Sequence, residues 1–301
     1  MSRNGQRILK QPAGKFQLYG IFGHPLGHTL SPRMQEAGFE ALGLKAFYVP
    51  LDLERFRFVR LMRRLPKLVL DGFNVTVPYK EDAARMLKKI LEPEAAAVGA
   101  VNTVFKKNGH WRATNTDVFG FGLALKKKGR FNIRGAHVLV LGAGGAARAA
   151  VYALAAGGAR EIVVCNRHKP RAVLLVKHFR RLFPKVCFTA EALELKAVSG
   201  CMASAGLIVN TTSAGLKPGE APAIPRDWVP RAQGGKQKLF YDLVYRPAQT
   251  AFLKNAASRG HRTLGGAEML FYQGARAFEL WTGRRAPETA MRRALFDGLN
   301  K

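Results

Sequence analysis

The sequence predicts an α/β protein of two domains, each built around a mainly parallel β-sheet. At 301 residues the chain exceeds the usual size of a single hydrophobic core, so two domains are expected. Strand-like and helix-like patterns alternate in two separate runs, one beginning near residue 16 and the other near residue 137. Apolar residues make up 48% of the chain, which suffices for packed cores and excludes a disordered protein.

The first run alternates short apolar strands with helices that carry recognisable end signals. Ser31 and Pro32 suit the N-cap and the first position of a helix, and Gly43 stands where its C-terminal cap belongs. Strands are predicted at Phe16 to Phe22, at Ala46 to Val49 and in the alternating segment that ends near Pro78. Further helices are predicted from about Leu53 to Leu65 and after Lys80.

A hairpin ends this first run. The pair Asn108-Gly109 separates strand patterns at Val101 to Phe105 and His110 to Thr114, and Asn-Gly is a strong signal for a tight hairpin turn. A helix from Val118 to Lys128 then leads onward, while the helical stretch after residue 265 is expected to fold back. We therefore predict one domain from residues 1–117 together with 266–301, and a second from residues 118–265.

The second run predicts a doubly wound parallel sheet. A short buried strand, Val138 to Leu141, is followed by a glycine-rich turn, a helix and a second strand, Glu161 to Cys165. Segments of helical or loop character separate the later strand candidates, which are Val186 to Thr189, Leu207 to Asn210 and Leu239 to Leu243.

The glycine-rich turn matches the G-x-G-x-x-G/A fingerprint at Gly142, Gly144 and Ala147. It follows a strand and opens a helix, which is the context in which backbone amides bind the pyrophosphate of a dinucleotide. The interpretation is a Rossmann-type domain with a nucleotide cofactor. The alternative is a tight turn without a ligand.

The end of the second strand indicates which cofactor binds. An NAD site usually places Asp or Glu there to bind the ribose 2′-hydroxyl, but this strand ends Asn166-Arg167-His168-Lys169-Pro170-Arg171. Because a guanidinium group matches a phosphate, Arg167 and Arg171 predict NADP. The alternative, cations that merely decorate a helix start, is opposed by the helix dipole.

Lys80 is the most informative single residue. It ends the segment Asn74-Val75-Thr76-Val77-Pro78-Tyr79-Lys80 at a strand-to-helix junction, where the helix dipole disfavours a positive charge. A surface lysine at a turn is the plain alternative. Asp117 could cap the following helix, but a carboxylate beside Lys80 would also hold the lysine for proton transfer during carbonyl reduction.

Composition bounds the remaining functions. The net charge of +29 would suit a nucleic-acid partner, but the basic residues are dispersed pairs and triplets and not one stripe, so nucleic acid is not expected. No segment reaches the roughly 18 uninterrupted apolar residues of a membrane helix, and residues 1–15 lack the apolar region of a secretory signal. Three cysteines without C-x-x-C spacing suit a reducing compartment, so we expect a cytoplasmic protein.

No metal site is expected. His24 and His28 are four residues apart, but Pro25 and Gly27 preclude a regular helix that would place both side chains on one face.

Taken in order, these motifs resemble those of the shikimate dehydrogenase family, from Gly23 to about Gly283. The matching blocks are Gly23-His24-Pro25, His28 to Pro32, Asn74 to Lys80, Gly99 to Thr103, Asn115-Thr116-Asp117, the glycine turn, Asn166-Arg167, Asn210 to Gly215, Tyr241 to Tyr245 and Met269 to Gly274. The resemblance implies NADPH-dependent reduction of 3-dehydroshikimate to shikimate, a step of aromatic amino-acid biosynthesis.

The resemblance also implies roles for individual residues. Lys80 would be the acid/base group and Asp117 its partner, which also binds a substrate hydroxyl. Thr29, Ser31 and Tyr245 would bind the substrate carboxylate, and Thr76, Asn102 and Gln273 the ring hydroxyls. Cofactor binding is implied for Gly142, Ala143, Gly144, Gly145, Ala146, Asn166, Arg167, Arg171 and Thr211, with Gly266 and Met269 on the nicotinamide side.

Two residues depart from the family pattern. Thr29 stands where many members have serine, and His168 replaces a common threonine. Two alternatives stay open: an NAD-dependent quinate/shikimate dehydrogenase, and a basic nucleic-acid-binding protein that kept the fold. A monomer or a homodimer is expected.

Overall fold

The structure, a computed structural model, describes residues 16–27, 29–216 and 219–299. The predicted tail of residues 1–15 and His28, one of the two histidines considered as metal ligands, lie outside the described residues. His24 instead pairs with Asp52, with 2.6 Å between Nδ1 and Oδ1. In the part of the chain that is described, no helix is long and apolar enough to cross a membrane, and no three metal-ligating side chains cluster.

The first layer is a five-stranded sheet with helices between its strands. Its strands are β1 (Gln17–Gly23), β2 (Ala46–Asp52), β3 (Gly72–Val75), β4 (Thr103–Lys107) and β5 (His110–Thr114). Its helices are α1 (Ser31–Ala41), α2 (Arg55–Met62), α3 (Lys80–Met86) and α4 (Pro93–Val98). The strand order is β2-β1-β3-β4-β5, parallel across β2, β1 and β3 and antiparallel across β3, β4 and β5.

The hairpin between β4 and β5 is confirmed. Asn108 and Gly109 have φ values of 52° and 77°, which is the left-handed pair that a two-residue hairpin turn requires. From β5 the chain enters α5 (Thr116–Lys127), which leads to the second layer.

The second layer is the predicted doubly wound parallel sheet. Its strands are β6 (His137–Leu141), β7 (Glu161–Asn166), β8 (Cys187–Ala192), β9 (Leu207–Asn210), β10 (Leu239–Asp242) and β11 (Arg262–Leu264). Its helices are α6 (Gly145–Ala156), α7 (Lys169–Leu182), α8 (Leu195–Ser204) and α9 (Ala251–Ser258). The order β11-β10-β9-β6-β7-β8 reverses at β6, so the glycine turn after β6 lies at the topological switch point where such sheets bind ligands.

Two C-terminal helices, α10 (Ala267–Thr282) and α11 (Glu288–Leu299), return to the first layer. The indole of Trp281 donates to the carbonyl of Val104 in β4 at 3.0 Å, and α11 packs on α1. Helix α10 also packs closely along α5, because a β-carbon on Gly120 would stand 2.8 Å from the carbonyl oxygen of Met269. This packing agrees with the predicted return, while the domain boundaries themselves stay a prediction.

Two local predictions are wrong. The strand before Lys80 ends at Val75, because the amide of Tyr79 donates to the carbonyl of Thr76 and closes a turn. Ser31 does not cap α1: Leu30 occupies the N-cap position, and Ser31 is already the first helical residue. A turn that joins the amide of Thr29 to the carbonyl of Leu26 precedes the helix, and α1 begins one residue earlier than expected, at Ser31 instead of Pro32.

Candidate active site

Lys80 and Asp117, the predicted catalytic pair, meet where the two layers join. Lys80 is the first residue of α3, and Asp117 lies in the first turn of α5. The Nζ of Lys80 is 2.7 Å from Oδ2 of Asp117, and the two side chains are 13% and 5% exposed. A short, largely buried ion pair holds the ammonium group in one place, as proton transfer requires.

Asp117 is free to make this contact because another residue caps its helix. The side chain of Asn115 accepts the backbone amide of Asp117 at 3.1 Å, and its own amide group donates to the carbonyl of Ala100. The alternative that Asp117 is the N-cap of α5 is therefore wrong. A carboxylate in the first turn still has a favourable interaction with the helix dipole.

Asn102 connects the pair to α10. Its amide nitrogen donates to Oδ1 of Asp117 at 2.9 Å and lies 3.2 Å from Oε1 of Gln273. Its oxygen accepts the backbone amide of Thr116 at 2.7 Å, which fixes the orientation of the amide. Asn102, Asp117 and Gln273, which come from separate parts of the chain, thus form one buried polar network.

A second polar group joins α1 to the segment after β10. The hydroxyl group of Thr29 lies close to that of Tyr245 and partly offsets the effect of burial on the tyrosine pKa, and the same Thr29 oxygen accepts the amide of Ser31. Burial raises the pKa of Tyr245, so its hydroxyl is a neutral donor at ordinary pH. Ser31 is buried beside Tyr48, and Thr76 lies half-buried in the turn before Lys80.

The segment after β10 is anchored by a buried carboxylate. Asp242 accepts hydrogen bonds from the amide of Asn210 at 2.9 Å, the backbone of Val244 at 3.0 Å and the hydroxyl of Thr250 at 2.6 Å. Burial raises the pKa of Asp242 to about 6, although these three bonds act in the opposite direction.

The glycine turn after β6 has the conformation that its sequence predicts. Gly142 has a φ of 109°, and a β-carbon there would stand 2.5 Å from the hydroxyl of Thr211. That hydroxyl donates to the carbonyl of Leu141 at 2.7 Å, so Thr211 supports the turn. Among the described residues beyond its chain neighbours, none has an atom within 4 Å of the position of a β-carbon on Gly144, which leaves space over the N-terminus of α6.

The same turn contacts Lys80. A β-carbon on Gly145 would stand 2.9 Å from the Cβ of Lys80, so the start of α6 packs directly on the start of α3. The predicted acid/base residue therefore lies beside the predicted pyrophosphate loop.

The remaining predicted cofactor residues lie at helix starts. Arg167 is exposed after β7, and Arg171 lies in the first turn of α7 with its Nη2 3.5 Å from Oε1 of Glu81. Gly266 is the N-cap of α10, and a β-carbon there would stand 2.3 Å from the carbonyl oxygen of Leu243. Met269 is buried one turn before Gln273 on the same helix.

Three family models match successive parts of the chain. They describe a shikimate dehydrogenase substrate-binding domain over residues 21–104, a shikimate/quinate 5-dehydrogenase over residues 122–245 and a shikimate 5′-dehydrogenase C-terminal domain over residues 266–296. The shikimate dehydrogenase (NADP(+)) of Desulforamulus reducens is 39% identical over 284 residues, which cover 94% of this chain and 95% of that protein.

The chain belongs to the shikimate dehydrogenase family. Two solved family members have the same fold. A shikimate dehydrogenase in complex with NADP⁺ matches with a TM-score of 0.82 and 30% identity over 97% of this chain and 100% of its own. The Thermus thermophilus enzyme in complex with NADP(H) and shikimate matches with a TM-score of 0.78 and 35% identity over 94% and 100%.

The residues of this family member fit a dinucleotide with a 2′-phosphate. Gly142 cannot carry a side chain, Gly144 leaves the helix N-terminus open, and Arg167 stands exposed at the end of β7. The strand end itself carries Asn166, whose amide donates to the carbonyl of His168, and not an acid. These are properties of an NADP site as the sequence predicts it.

Sequence reasoning missed several members of the site. Thr103 and Thr116 extend the network of Asn102 with hydroxyl contacts of 3.0 Å. Their position beside Asn102 and Asp117 in the family motifs was the available signal. Glu81 and Arg148 form an ion pair of 3.2 Å between α3 and α6, for which the sequence offers no local signal.

Proposed function

We propose that the protein is an NADP-dependent shikimate dehydrogenase, which interconverts 3-dehydroshikimate and shikimate in aromatic amino-acid biosynthesis. The observation that carries the proposal is the contact of Lys80 with both Asp117 and the glycine turn. It brings an acid/base group, a charged partner and a dinucleotide loop into one place in a chain of this family.

In the proposed reaction Lys80 delivers a proton to the substrate oxygen during reduction and removes it during oxidation. Bound NADPH supplies the hydride. Asp117 pairs with the ammonium group through the 2.7 Å contact and orients Nζ. Asp117 retains its other oxygen for the amide of Asn102, so the pair is held from a second direction.

The polar networks account for substrate recognition in this proposal. Asn102, Gln273 and Thr76 would bind ring hydroxyls. An analogue that lacks these hydroxyls would leave the three side chains without hydrogen-bond partners. Thr29, Ser31 and Tyr245 would bind the carboxylate with neutral hydroxyl donors. The proximity of the Thr29 and Tyr245 hydroxyl groups supports this assignment, because it joins a residue that follows β10 to the start of α1.

Cofactor binding is assigned to the surface around the glycine turn and the start of α7. Arg167 and Arg171 would bind the 2′-phosphate with Asn166 beside them, and Thr211, Gly266 and Met269 would line the nicotinamide half. The residues proposed for the pyrophosphate are Gly142, Ala143, Gly144, Gly145 and Ala146. We infer that residues 118–265 form the cofactor domain and that residues 1–117 and 266–301 form the substrate domain.

The test is the absorbance of NADPH when purified protein meets shikimate and NADP. We expect a rise in absorbance that depends on both compounds and reverses with 3-dehydroshikimate. Initial rates on shikimate and quinate with each dinucleotide separate the enzymatic alternative, since faster turnover of quinate with NAD would replace our proposal. Salt-sensitive retention of DNA by a protein inert toward shikimate would favour the nucleic-acid alternative.

The cellular location and the oligomeric state of the protein are also proposals. Free Cys165, Cys187 and Cys201 support a reducing compartment such as the cytoplasm. A monomer or a homodimer is proposed, and a nucleic-acid partner is not.

A further inference from the structure

Glu81 joins three helix starts that surround the proposed cofactor site. It is the second residue of α3, directly after Lys80. One carboxylate oxygen lies 3.2 Å from Nε of Arg148 in the first turn of α6, and the other lies 3.5 Å from Nη2 of Arg171 in the first turn of α7. The carboxylate is therefore shared by two arginines that come from the first turns of two helices of the second layer.

The two arginines differ in how firmly they are held. The side chain of Arg148 is 18% exposed and also donates to the carbonyl of Val98 at 3.3 Å. The side chain of Arg171 is 56% exposed and has the longer contact with Glu81. Arg171 is thus the partner that can leave, whereas Arg148 stays with Glu81 and keeps its charge compensated.

We propose that Glu81 is a specificity-determining residue that competes with the adenosine 2′-phosphate for Arg171. The inference rests on the proposed NADP-dependent function. A phosphate dianion is a stronger and better matched partner for a guanidinium group than the carboxylate of Glu81, whose side chain is 24% exposed. NADP binding then moves Arg171 from Glu81 to the phosphate. Because Arg148 stays paired with Glu81, the carboxylate is not left without a positive partner.

This arrangement lowers the affinity for NADP by the free energy of one ion pair. It leaves the affinity for NAD unchanged, because NAD presents no phosphate to Arg171. Removal of the Glu81 charge should therefore increase the affinity for NADP and leave the affinity for NAD unchanged. A purely structural role for Glu81 predicts a different result, since loosening the contact between α3 and α6 would weaken the binding of both dinucleotides or of neither.

The experiment measures the dissociation constants of NADP and NAD by calorimetry for the wild type and four variants of the full chain: Glu81→Gln, Arg171→Gln, the double variant and Glu191→Gln. Glu81→Gln should bind NADP about threefold more tightly, the order expected for a partly exposed ion pair, with NAD unchanged. In an Arg171→Gln background the Glu81→Gln change should have no effect on NADP, because the competed residue is gone. Glu191→Gln is the matched control, since Glu191 pairs with Lys169 at the same helix start at 3.1 Å.

The outcomes are distinct. Unchanged or weaker NADP binding in Glu81→Gln, equal tightening of NAD, or the same gain in Glu191→Gln would each overturn the inference while the proposed function stands. A wild-type protein that binds neither dinucleotide would overturn the proposed function as well. Thermal unfolding of each variant, measured alongside, shows that the compared proteins are folded.

Discussion

Gly145 lies directly against Lys80: a β-carbon on the glycine would stand 2.9 Å from the Cβ of the lysine. This contact joins the first residue of α6 to the first residue of α3, and so joins the dinucleotide loop to the proposed acid/base group. A glycine commonly explained by phosphate binding thus also sets the position of a side chain in the other layer.

The first prediction separates these two roles. Gly145→Ala should lower kcat at least about tenfold, because the new methyl group displaces Lys80, and small misplacements of reacting groups are costly. Gly144→Ala is the matched control, since no described residue beyond its chain neighbours comes within 4 Å of its β-carbon position and its φ of −100° is accessible to alanine. That change should raise the Kd of NADP more than it lowers kcat. Equal kinetic profiles for the two variants would contradict this division.

The second prediction concerns Lys80 itself. Lys80→Met keeps much of the apolar length of the side chain but removes the proton donor, so kcat should fall about a hundredfold or more, equivalent to roughly 2.7 kcal/mol of barrier. The Kd of NADP should change little. Lys88→Met, at an exposed lysine two residues beyond the end of α3, is the control. Near-normal turnover of Lys80→Met would remove this residue from the proposed role.

The sequence predicted those parts of the site that rest on local patterns. The glycine turn follows from strand, turn and helix signals within a few residues, and it lies where they place it. The N-cap residues of α5 and α1 were harder to predict. Several residues near a helix start can cap it, and the preceding turn decides that Asn115 does so for α5 and that Ser31 does not for α1.

Contacts between distant segments could not be predicted. The ion pairs of Glu81 with Arg148 and Arg171 join residues 67 and 90 positions apart, and only the approach of α3 to the starts of α6 and α7 brings them together. The resemblance to the family named Asn102, Asp117 and Gln273 separately. Their union in one hydrogen-bonded network depends on α10 returning along α5.

A third prediction tests the network around Asn102. Asn102→Asp keeps the shape of the side chain but replaces the amide donor with a carboxylate at the 2.9 Å contact with Asp117. Repulsion between two buried carboxylates should lower the melting temperature and raise the KM for shikimate, with a larger effect at higher pH. Asn132→Asp is the control, since exposed Asn132 accepts the amide of Arg134 through an oxygen that aspartate retains. A variant with an unchanged KM would contradict the substrate role.

The fourth prediction is for the adenosine end of the cofactor. Arg167→Ala should raise the Kd of NADP about tenfold, within the range of a charge-assisted contact to phosphate, and leave the Kd of NAD unchanged. Arg181→Ala, in an exposed arginine of the last turn of α7, should leave both constants unchanged. Equal losses for the two dinucleotides would show that Arg167 does not read the phosphate.

The fifth prediction concerns pH and the buried Asp242. Its pKa is about 6 in the folded protein against 3.8 as the ordinary value, so the folded state binds this proton more tightly than the unfolded state. The stabilising contribution of the protonated group is present below about pH 4 and is lost as the pH rises through about 6. Because one pKa unit corresponds to about 1.4 kcal/mol, the loss is on the order of 3 kcal/mol.

Two variants isolate this effect. Asp242→Asn can accept from Asn210 and Val244 through its oxygen and can donate to Thr250 through its amide, without a charge that burial penalises. Its free energy of unfolding, measured in urea at several pH values, should rise relative to that of the wild type between pH 4 and 7. Thr250→Val removes a bond that lowers the pKa of Asp242, so the pH at which stability is lost should move upward. A difference between Asp242→Asn and the wild type that is constant across this range would show that Asp242 does not titrate there.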